Sequence, residues 1–288
     1  MAEISVIYVN YSDHDRLYES LSSLKETTLD LLREVFIVDN NSEVFPSEQI
    51  KKHFPGVKLL VNNDNIGYAR ANNQAIRQAE GKYIFLVNTD TRFFPGAVEN
   101  LYRELEENSK AGGAGPLLLR RDRTPQVSFG RKISFTAELK QKLFFNFYLK
   151  KTLLANPRKR RVGWLSGACL LLRREAVEKV GLLDEKYFLY FEDIDLCSRL
   201  RKKGWELIFV PESKVFHLGG GSTSSSSFQS CYQYRKSQLY YYRKHNSFLS
   251  VWLLRLYLGG YFFFWLGERV LRGKSSFSDV QLFYKLLR

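Results

Sequence analysis

The chain has 288 residues, of which 44% are hydrophobic, so it can bury one large core or two modest ones, and a disordered protein is excluded. Its formal net charge of +14 fits nucleic acid, anionic lipid headgroups or phosphorylated substrates as partners. We expect no nucleic-acid partner, because the sequence has no zinc-finger spacing, RNP-like aromatic motif or basic leucine zipper.

The cysteines and the first residues indicate a reducing compartment. Cys169, Cys197 and Cys231 are odd in number and lack the spacing of a disulfide framework. The chain starts without a basic n-region or a long apolar h-region, so residues 4–9 predict a first strand and not a signal peptide. We therefore expect the folded body in the cytoplasm.

Short apolar runs alternate with polar or helical stretches over most of the chain. The runs that predict strands are residues 4–9, 35–38, 57–61, 83–87, 117–119, 168–172 and 207–210. Because there is room for helices between the first four, they indicate an α/β layered fold with a largely parallel sheet. In such sheets, ligands bind beyond the carboxyl ends of the strands.

Asparagine and aspartate follow four successive predicted strands. The residues concerned include Asn10, Asp39, Asn41, Asn65, Asn88 and Asp90. Turns favour these residue types, so each strand end by itself fits plain turn chemistry. Four such ends together predict a polar site along one rim of the sheet.

Three segments carry residues with catalytic chemistry. Asp90 can bind Mg²⁺ or Mn²⁺ that bridges phosphate oxygens, or it can cap a helix opened by Pro95. The acids Glu192, Asp193 and Asp195 crowd one predicted helix start, which suits a general base but also complements the helix dipole. There, Asp195 can also pair with Arg199 one turn later.

His217 precedes a glycine run at residues 219–221. A lone loop histidine is usually structural, but glycines let the backbone approach a phosphate, so His217 could complete a metal site. The serines at residues 224–227 predict a mobile linker or lid. Residues 124–163 lack a clear period and resemble an insertion or flap.

We predict that residues 1–227 form the catalytic domain. Residues 228–288 differ from them in composition. The last 92 residues, 197–288, hold 15 Lys or Arg against four Asp or Glu, and tyrosines alternate with basic residues after residue 228. The uninterrupted apolar run 256–267 is shorter than the ~20 residues needed to cross a bilayer. We expect an amphipathic helical extension at an anionic membrane surface; the alternative is a helical hairpin packed on the body.

Six stretches taken in order resemble family 2 glycosyltransferases of the rhamnosyltransferase type. They are residues 6–11, 37–42, 65–73, 85–90, 164–168 and 191–196. The resemblance covers residues from about 4 to 223 and implies a GT-A fold with inverting chemistry. It further implies a nucleotide-diphosphate sugar donor, Mg²⁺ or Mn²⁺ as cofactor, and a polyprenyl-linked or growing glycan acceptor.

The resemblance also implies residue roles. Asp193 would be the base and Glu192 would shape its environment, while Asp90 and His217 would bind the metal. Asp39 would contact the nucleobase. The nucleotide-sugar site as a whole would comprise Asn10, Asp39, Asn41, Asn65, Gly67, Asn72, Asn88, Trp164 and Gly167. Two positions depart from the family pattern: Asn88 replaces the first acid of the DxD element, and Gly163 stands where relatives often carry an acid.

The leading expectation is transfer from a dTDP- or UDP-sugar, with dTDP-rhamnose as the first candidate, by a peripheral enzyme at the inner face of the membrane. A homodimer is compatible with the sequence. One rival is a sugar nucleotidyltransferase, although residues 10–17 lack the glycine-rich basic loop that it needs. The other is a non-catalytic membrane-bound scaffold. A dehydrogenase is excluded because no G-x-G-x-x-G follows a predicted strand.

Overall fold

The computed structural model describes residues 2–138, 157–219 and 228–271, with side chains up to residue 264. Much of the predicted flap at 124–163, and the serine stretch at 224–227, lie outside the described residues.

A mixed sheet forms the centre of the fold. Its strands in chain order are β1 Ile4–Asn10, β2 Leu32–Asp39, β3 Val57–Val61, β4 Tyr83–Asn88, β5 Thr91–Phe93, β6 Ala111–Leu119, β8 Arg160–Arg161, β10 Cys169–Arg173 and β11 Glu206–His217. The spatial order is β3-β2-β1-β4-β10-β6-β11-β5, with β8 paired to β11. The first four of these are parallel, and β10 is antiparallel to both β4 and β6. A separate pair joins β7 Phe129–Gly130 to β9 Trp164–Leu165.

Helices cover both faces of the sheet. They are α1 His14–Thr27, α2 Ser47–His53, α3 Tyr68–Ile76, α4 Ala97–Glu107, α5 Arg174–Val180, α6 Glu192–Lys202, α7 Phe228–His245 and α8 Phe248–Leu271. One core layer packs α1, α2 and α4 on the sheet, and the other packs α3, α5 and α6. Because side chains alternate along a strand, Phe85 enters the first layer and Leu86 the second. Burial on both faces explains why these strands are continuous apolar runs.

Each predicted apolar run overlaps a strand, but β6 is much longer than the run 117–119. Its first half is rich in glycine, and neighbouring side chains lie very close to two of these glycines. A Cβ on Gly112 would lie 2.8 Å from Trp205 Cβ, and one on Gly115 would lie 2.9 Å from Leu165 Cδ2. Close packing therefore removes the hydrophobic pattern that identifies a strand in the sequence.

The C-terminal helices pack partly on the body. A third cluster joins Tyr187 and Phe191 of the body to α7 and to Leu254 and Leu258 of α8. In the part of the chain with described residues, no helix is long and apolar enough to cross a membrane. This packing is what the hairpin alternative predicts, and the domain division at residue 227 stays a prediction.

Candidate active site

The ends of three central strands form one polar rim. The parallel register places Asn10 beside Asp39 and Val9 beside Asn88. His217 ends β11 and pairs with Thr91 of β5, which brings its ring to the turn that follows β4. The strand order thus gathers residues that are more than 200 positions apart in the chain.

Asp90 and His217 form the first half of the site. The Oδ1 atom of buried Asp90 lies 3.3 Å from Nε2 of His217. Burial acts to raise the pKa of Asp90, but the hydrogen bond and charge of His217 outweigh it and hold that pKa below its usual value. Capping of the helix after Pro95 is the wrong interpretation of Asp90, because α4 begins at Ala97 after Gly96.

A divalent cation fits this pair. Two ligands bound to one ion at its usual contact distance lie roughly 3 Å apart, which matches the separation of the two side-chain atoms. Among the described residues no group of three or more His, Cys, Asp and Glu is arranged for a metal. A carboxylate oxygen and an imidazole nitrogen would therefore leave most coordination positions to phosphate oxygens and water.

Gln126 orients the histidine from behind. Its Oε1 atom lies 2.9 Å from Nδ1 of His217. Because Nδ1 is engaged by Gln126, Nε2 is the ring nitrogen that faces Asp90, and a partner on the far ring nitrogen is typical of a metal-binding histidine. Gln126 was not among the residues predicted from the sequence, and it lies within the predicted flap at 124–163.

Asp193 forms the second half of the site, at the start of α6. Its Oδ2 accepts a hydrogen bond of 2.7 Å from the Gly167 amide, and its Oδ1 accepts one of 2.7 Å from the Ile194 amide. Burial outweighs these two bonds and raises the pKa of Asp193 above its ordinary value. A raised pKa and a fixed orientation suit a general base. A Cβ on Gly167 would lie 3.1 Å from the Asp193 Cβ, so a larger residue at this position would press against Asp193.

Glu192 is a different kind of carboxyl. It is buried, and its Oε2 has no hydrogen-bond partner among the described residues. Burial, followed by the charge of Asp193, raises the pKa of Glu192 well above its ordinary value. Burial thus disfavours the charged form of Glu192, whereas two amides orient the carboxylate of Asp193, which makes Asp193 the better candidate base of the two.

Tyr68 joins the two halves. Its hydroxyl lies 3.0 Å from Asn88 Oδ1 and 3.3 Å from the carbonyl oxygen of Gly167. The amide of Gly167 binds Asp193, while Asn88 Nδ2 lies 3.5 Å from His217 Nε2. Burial, and next the charges of nearby carboxylates, raise the pKa of this tyrosine, so it stays protonated. Tyr68 lies within the stretch 65–73 that resembles the family, but its position in the sequence predicts no role for it.

A strained bend, residues 189–191, presents α6 to the rim. Tyr190 and Phe191 have φ angles of 68° and 69°, in the left-handed region that favours glycine. Each such residue costs on the order of 1–3 kcal/mol, and strain of this kind is common at functional sites. The next two residues are Glu192 and Asp193, so the bend determines the direction of both carboxyls.

Asp39 forms the floor at the other end of the rim. It is 1% exposed and accepts hydrogen bonds from Asn10 Nδ2 at 2.8 Å and from Ser42 Oγ at 2.5 Å. Asn41 is exposed beside it. Buried Asn10 and Asp39 hold the ends of β1 and β2 together, next to the expected position of the nucleobase.

Asn65 and Gly67 shape the loop before α3. The Oδ1 atom of Asn65 accepts hydrogen bonds from Asn40 Nδ2 and from the Gly67 amide, at 2.8 and 3.1 Å. Gly67 has φ 87°, and a Cβ on it would lie 2.7 Å from the carbonyl oxygen of Phe188. This glycine therefore lets the segment before α6 cross the loop closely.

Two predicted residues have chiefly local contacts. Asn72 donates a hydrogen bond of 2.9 Å to the Tyr68 carbonyl oxygen, and its buried Oδ1 has no partner among the described residues. The ring of Trp164 packs over Gly130 in the β7–β9 pair. Their roles in binding a sugar nucleotide stay predictions.

The comparisons with known proteins decide the family. The family model described as Glycosyl transferase family 2 matches residues 5–181, more than half of the chain. The chain belongs to this family. A Mycobacterium tuberculosis protein named N-acetylglucosaminyl-diphospho-decaprenol L-rhamnosyltransferase is 31% identical over 238 residues, covering 76% of this chain and 77% of the relative. Rhamnosyltransferase WbbL of Escherichia coli is 24% identical over 257 residues, covering 86% of this chain and 95% of the relative.

Solved structures confirm the GT-A fold. GalNAc-T7 with UDP, GalNAc and Mn²⁺ matches with a TM-score of 0.63 and 17% identity, over 84% of this chain and 48% of that chain. Mannosyltransferase PcManGT from Pyrobaculum calidifontis with GDP-Man and Mn²⁺ matches with a TM-score of 0.60 and 17% identity. The match covers 84% of this chain and 63% of the mannosyltransferase chain. The chain thus spans about half of the first structure and under two thirds of the second.

Proposed function

We propose that this family 2 glycosyltransferase transfers a sugar with inversion, in a metal-dependent reaction, from a dTDP- or UDP-sugar to a lipid-linked or growing glycan acceptor. The observation that carries the proposal is the continuous path of contacts from Asp90 and His217, through Asn88 and Tyr68, to Asp193. In this proposal, Asp90 and His217 act on the donor diphosphate at one end of the path, and Asp193 acts as the catalytic base at the other end.

The donor lies along the strand ends in this proposal. The nucleobase lies near Asp39, and the diphosphate lies near Asp90 and His217. These two side chains would hold Mg²⁺ or Mn²⁺, which when bound supplies positive charge against the charge that develops on the departing diphosphate. Tyr68 and Gly167 keep the two ends at a fixed separation.

Asp193 acts on the acceptor. Its carboxylate accepts the proton of the acceptor hydroxyl while the hydroxyl oxygen attacks the anomeric carbon from the side opposite the diphosphate. The new glycosidic bond forms as the bond between the anomeric carbon and the phosphate oxygen breaks, so the configuration inverts and the nucleoside diphosphate leaves.

The relatives support L-rhamnose as the first donor sugar to test. The Mycobacterium tuberculosis relative is named for L-rhamnose transfer to an N-acetylglucosaminyl-diphospho-decaprenol, and the Escherichia coli relative is also a rhamnosyltransferase. We extend this to a polyprenyl-diphosphate-linked acceptor for the present chain.

A membrane location follows from that acceptor. Large apolar side chains on α8 face outward, among them Phe248, Leu249, Phe263 and Phe264 with 86%, 62%, 76% and 79% exposure. An apolar helix face beside basic residues fits the interface of an anionic bilayer. We propose peripheral binding at the inner face of the membrane, where lipid-linked acceptors would meet the rim.

A donor screen tests the function. The protein is incubated with dTDP-rhamnose and UDP-sugars, Mg²⁺ or Mn²⁺, and lipid-linked acceptors, and product mass is measured beside the Asp193→Asn variant. A product heavier by one sugar in the wild type alone supports the proposal. Pyrophosphate released from a sugar 1-phosphate and a nucleoside triphosphate would show a nucleotidyltransferase instead. Vesicle binding without turnover of any donor would show a scaffold.

A further inference from the structure

The bend at residues 189–191 needs support from outside its own segment. Side chains on Tyr190 and Phe191 disfavour the left-handed backbone that these residues adopt, so it persists only where other contacts hold it. Since Asp193 follows the bend directly, the contacts that hold the bend also decide where its carboxylate lies.

Helix α7 supplies those contacts from one face. Its residues Tyr234, Ser237 and Tyr241 follow helical spacing and all meet the bend. The ring centroid of Tyr234 lies 5.7 Å from that of Tyr190 and 5.2 Å from that of Phe191. The ring centroid of Tyr241 lies 5.6 Å from that of Phe191.

A hydrogen bond fixes the start of the bend. The buried Ser237 hydroxyl donates to the carbonyl oxygen of Leu189 at 2.8 Å. The helix therefore contacts both the backbone and the two aromatic side chains of this segment.

The last turn of α7 also forms ion pairs with α6, two residues after Asp193. Asp195 is fully buried, and its carboxylate lies 2.8 Å from Lys244 Nζ, 2.7 Å from His245 Nε2 and 2.8 Å from Arg199 Nε. Burial acts to raise the pKa of Asp195, but these partners outweigh it and lower the pKa to about 2. The Asp195 amide donates to the Phe191 carbonyl oxygen at 2.8 Å, which links this ion cluster to the bend.

We propose that α7 positions the catalytic base, with Tyr234 acting through the bend to hold Asp193 against the Gly167 amide. This inference rests on the proposed transferase function. It assigns a catalytic consequence to a C-terminal helix that lies outside the residues matched by the family model. Tyr234 is a positioning residue, because it touches the bend and not the reacting atoms.

The test compares Tyr234→Ala with Tyr234→Phe. Tyr234 is 40% exposed, so loss of its ring leaves a small cavity and the fold is retained. We expect kcat of the alanine variant to fall roughly ten- to hundredfold, because a base displaced by about 1 Å loses that much rate. The KM for the donor stays within about twofold, and Tyr234→Phe restores kcat because the ring is what contacts the bend.

Lys236→Ala is the matched control. Lys236 lies on the same helix, but its side chain is exposed, and residues two apart on a helix do not share a face. Its kcat is expected to equal that of the wild type. If Tyr234→Ala fails to fold, Ser237→Ala takes its place with the same expected split between kcat and KM.

Hydrogen exchange of residues 188–198, measured without substrate, separates this inference from the proposed function. We expect faster exchange there in Tyr234→Ala than in the wild type and in Lys236→Ala. Wild-type turnover tests the transferase function, and the ratio of variant to wild type tests the positioning role. The inference would be overturned by an unchanged kcat in Tyr234→Ala, or by a loss of donor binding as large as the loss of kcat. If the wild type shows no turnover, unchanged hydrogen exchange in Tyr234→Ala would overturn it.

Discussion

Replacing Asp193 by asparagine removes the proposed catalytic base and keeps a side chain of the same shape at that position. An asparagine oxygen can still accept a hydrogen bond from either Gly167 or Ile194, so at most one of the two bonds is lost. One such bond is worth about 1 kcal/mol, a small part of the stability of a domain. The variant is therefore expected to fold and to bind donor nucleotide with nearly unchanged affinity.

The loss of rate is expected to be far larger. A positioned general base contributes roughly 10²–10⁴ to a rate, which corresponds to about 3–5 kcal/mol of activation free energy. Because the pKa of Asp193 is raised, wild-type kcat rises with pH as this carboxyl ionises and then reaches a plateau. The variant lacks this rise.

Stability has its own pH dependence. The folded-state pKa of Asp193 lies above the unfolded value, so the folded wild type binds more protons between the two values and loses stability as pH rises through that window. The asparagine variant lacks this loss. Its free energy of unfolding relative to the wild type therefore increases with pH over the same window.

Steady-state kinetics at saturating donor and acceptor, from acidic to mildly alkaline pH, measure these effects. Nucleotide affinity is measured in parallel by calorimetry. A variant with wild-type kcat and the same acidic limb would refute the assignment of the base. Loss of nucleotide binding together with kcat would show that the residue is structural.

Three further predictions concern the metal-binding end and the membrane face. Asp90→Ala is expected to abolish the dependence of donor affinity on Mn²⁺, and a titration that still shows wild-type dependence contradicts its role as ligand. Gln126→Leu is expected to weaken Mn²⁺ affinity about 10–100-fold by freeing the His217 ring, as measured by electron paramagnetic resonance in the presence of nucleoside diphosphate. Phe248→Glu is expected to reduce sedimentation with anionic vesicles while leaving activity on a short-chain, soluble acceptor unchanged; equal vesicle binding would place the membrane contact elsewhere.

The strands could be predicted because most of them are buried on both faces. A strand such as β4 is a run of large apolar residues, and its polar end at Asn88 follows from the same pattern. The parallel order then brings Asn10, Asp39 and Asn88 to one rim. The glycine-rich half of β6 could not be identified, because its small residues reflect neighbours that only the folded chain provides.

The acids in the first turn of α6 show a second limit. Pairing of Asp195 with Arg199 follows from helical spacing, and the structure confirms it with an Nε to Oδ2 distance of 2.8 Å. The same spacing cannot separate Asp193 from Glu192, because burial and the Gly167 amide distinguish them. The bend at residues 189–191 could not be predicted from the sequence either, because left-handed backbone is expected at glycine and not at Tyr190 or Phe191.

The contacts that complete the site come from distant parts of the chain. Tyr68 reaches Asn88 and Gly167, and Gln126 reaches His217 from 91 positions away. No local spacing predicts such contacts, because they depend on how the sheet and its loops meet.

The anomeric configuration of the product tests the central claim most directly. The protein is incubated with a nucleotide-sugar that it turns over, a lipid-linked acceptor and Mn²⁺, and the new glycosidic bond is examined by nuclear magnetic resonance. The account predicts a single anomer with configuration opposite to that of the donor, formed by the wild type and not by Asp193→Asn. A product with retained configuration, or equal product from the variant, would contradict direct displacement assisted by Asp193.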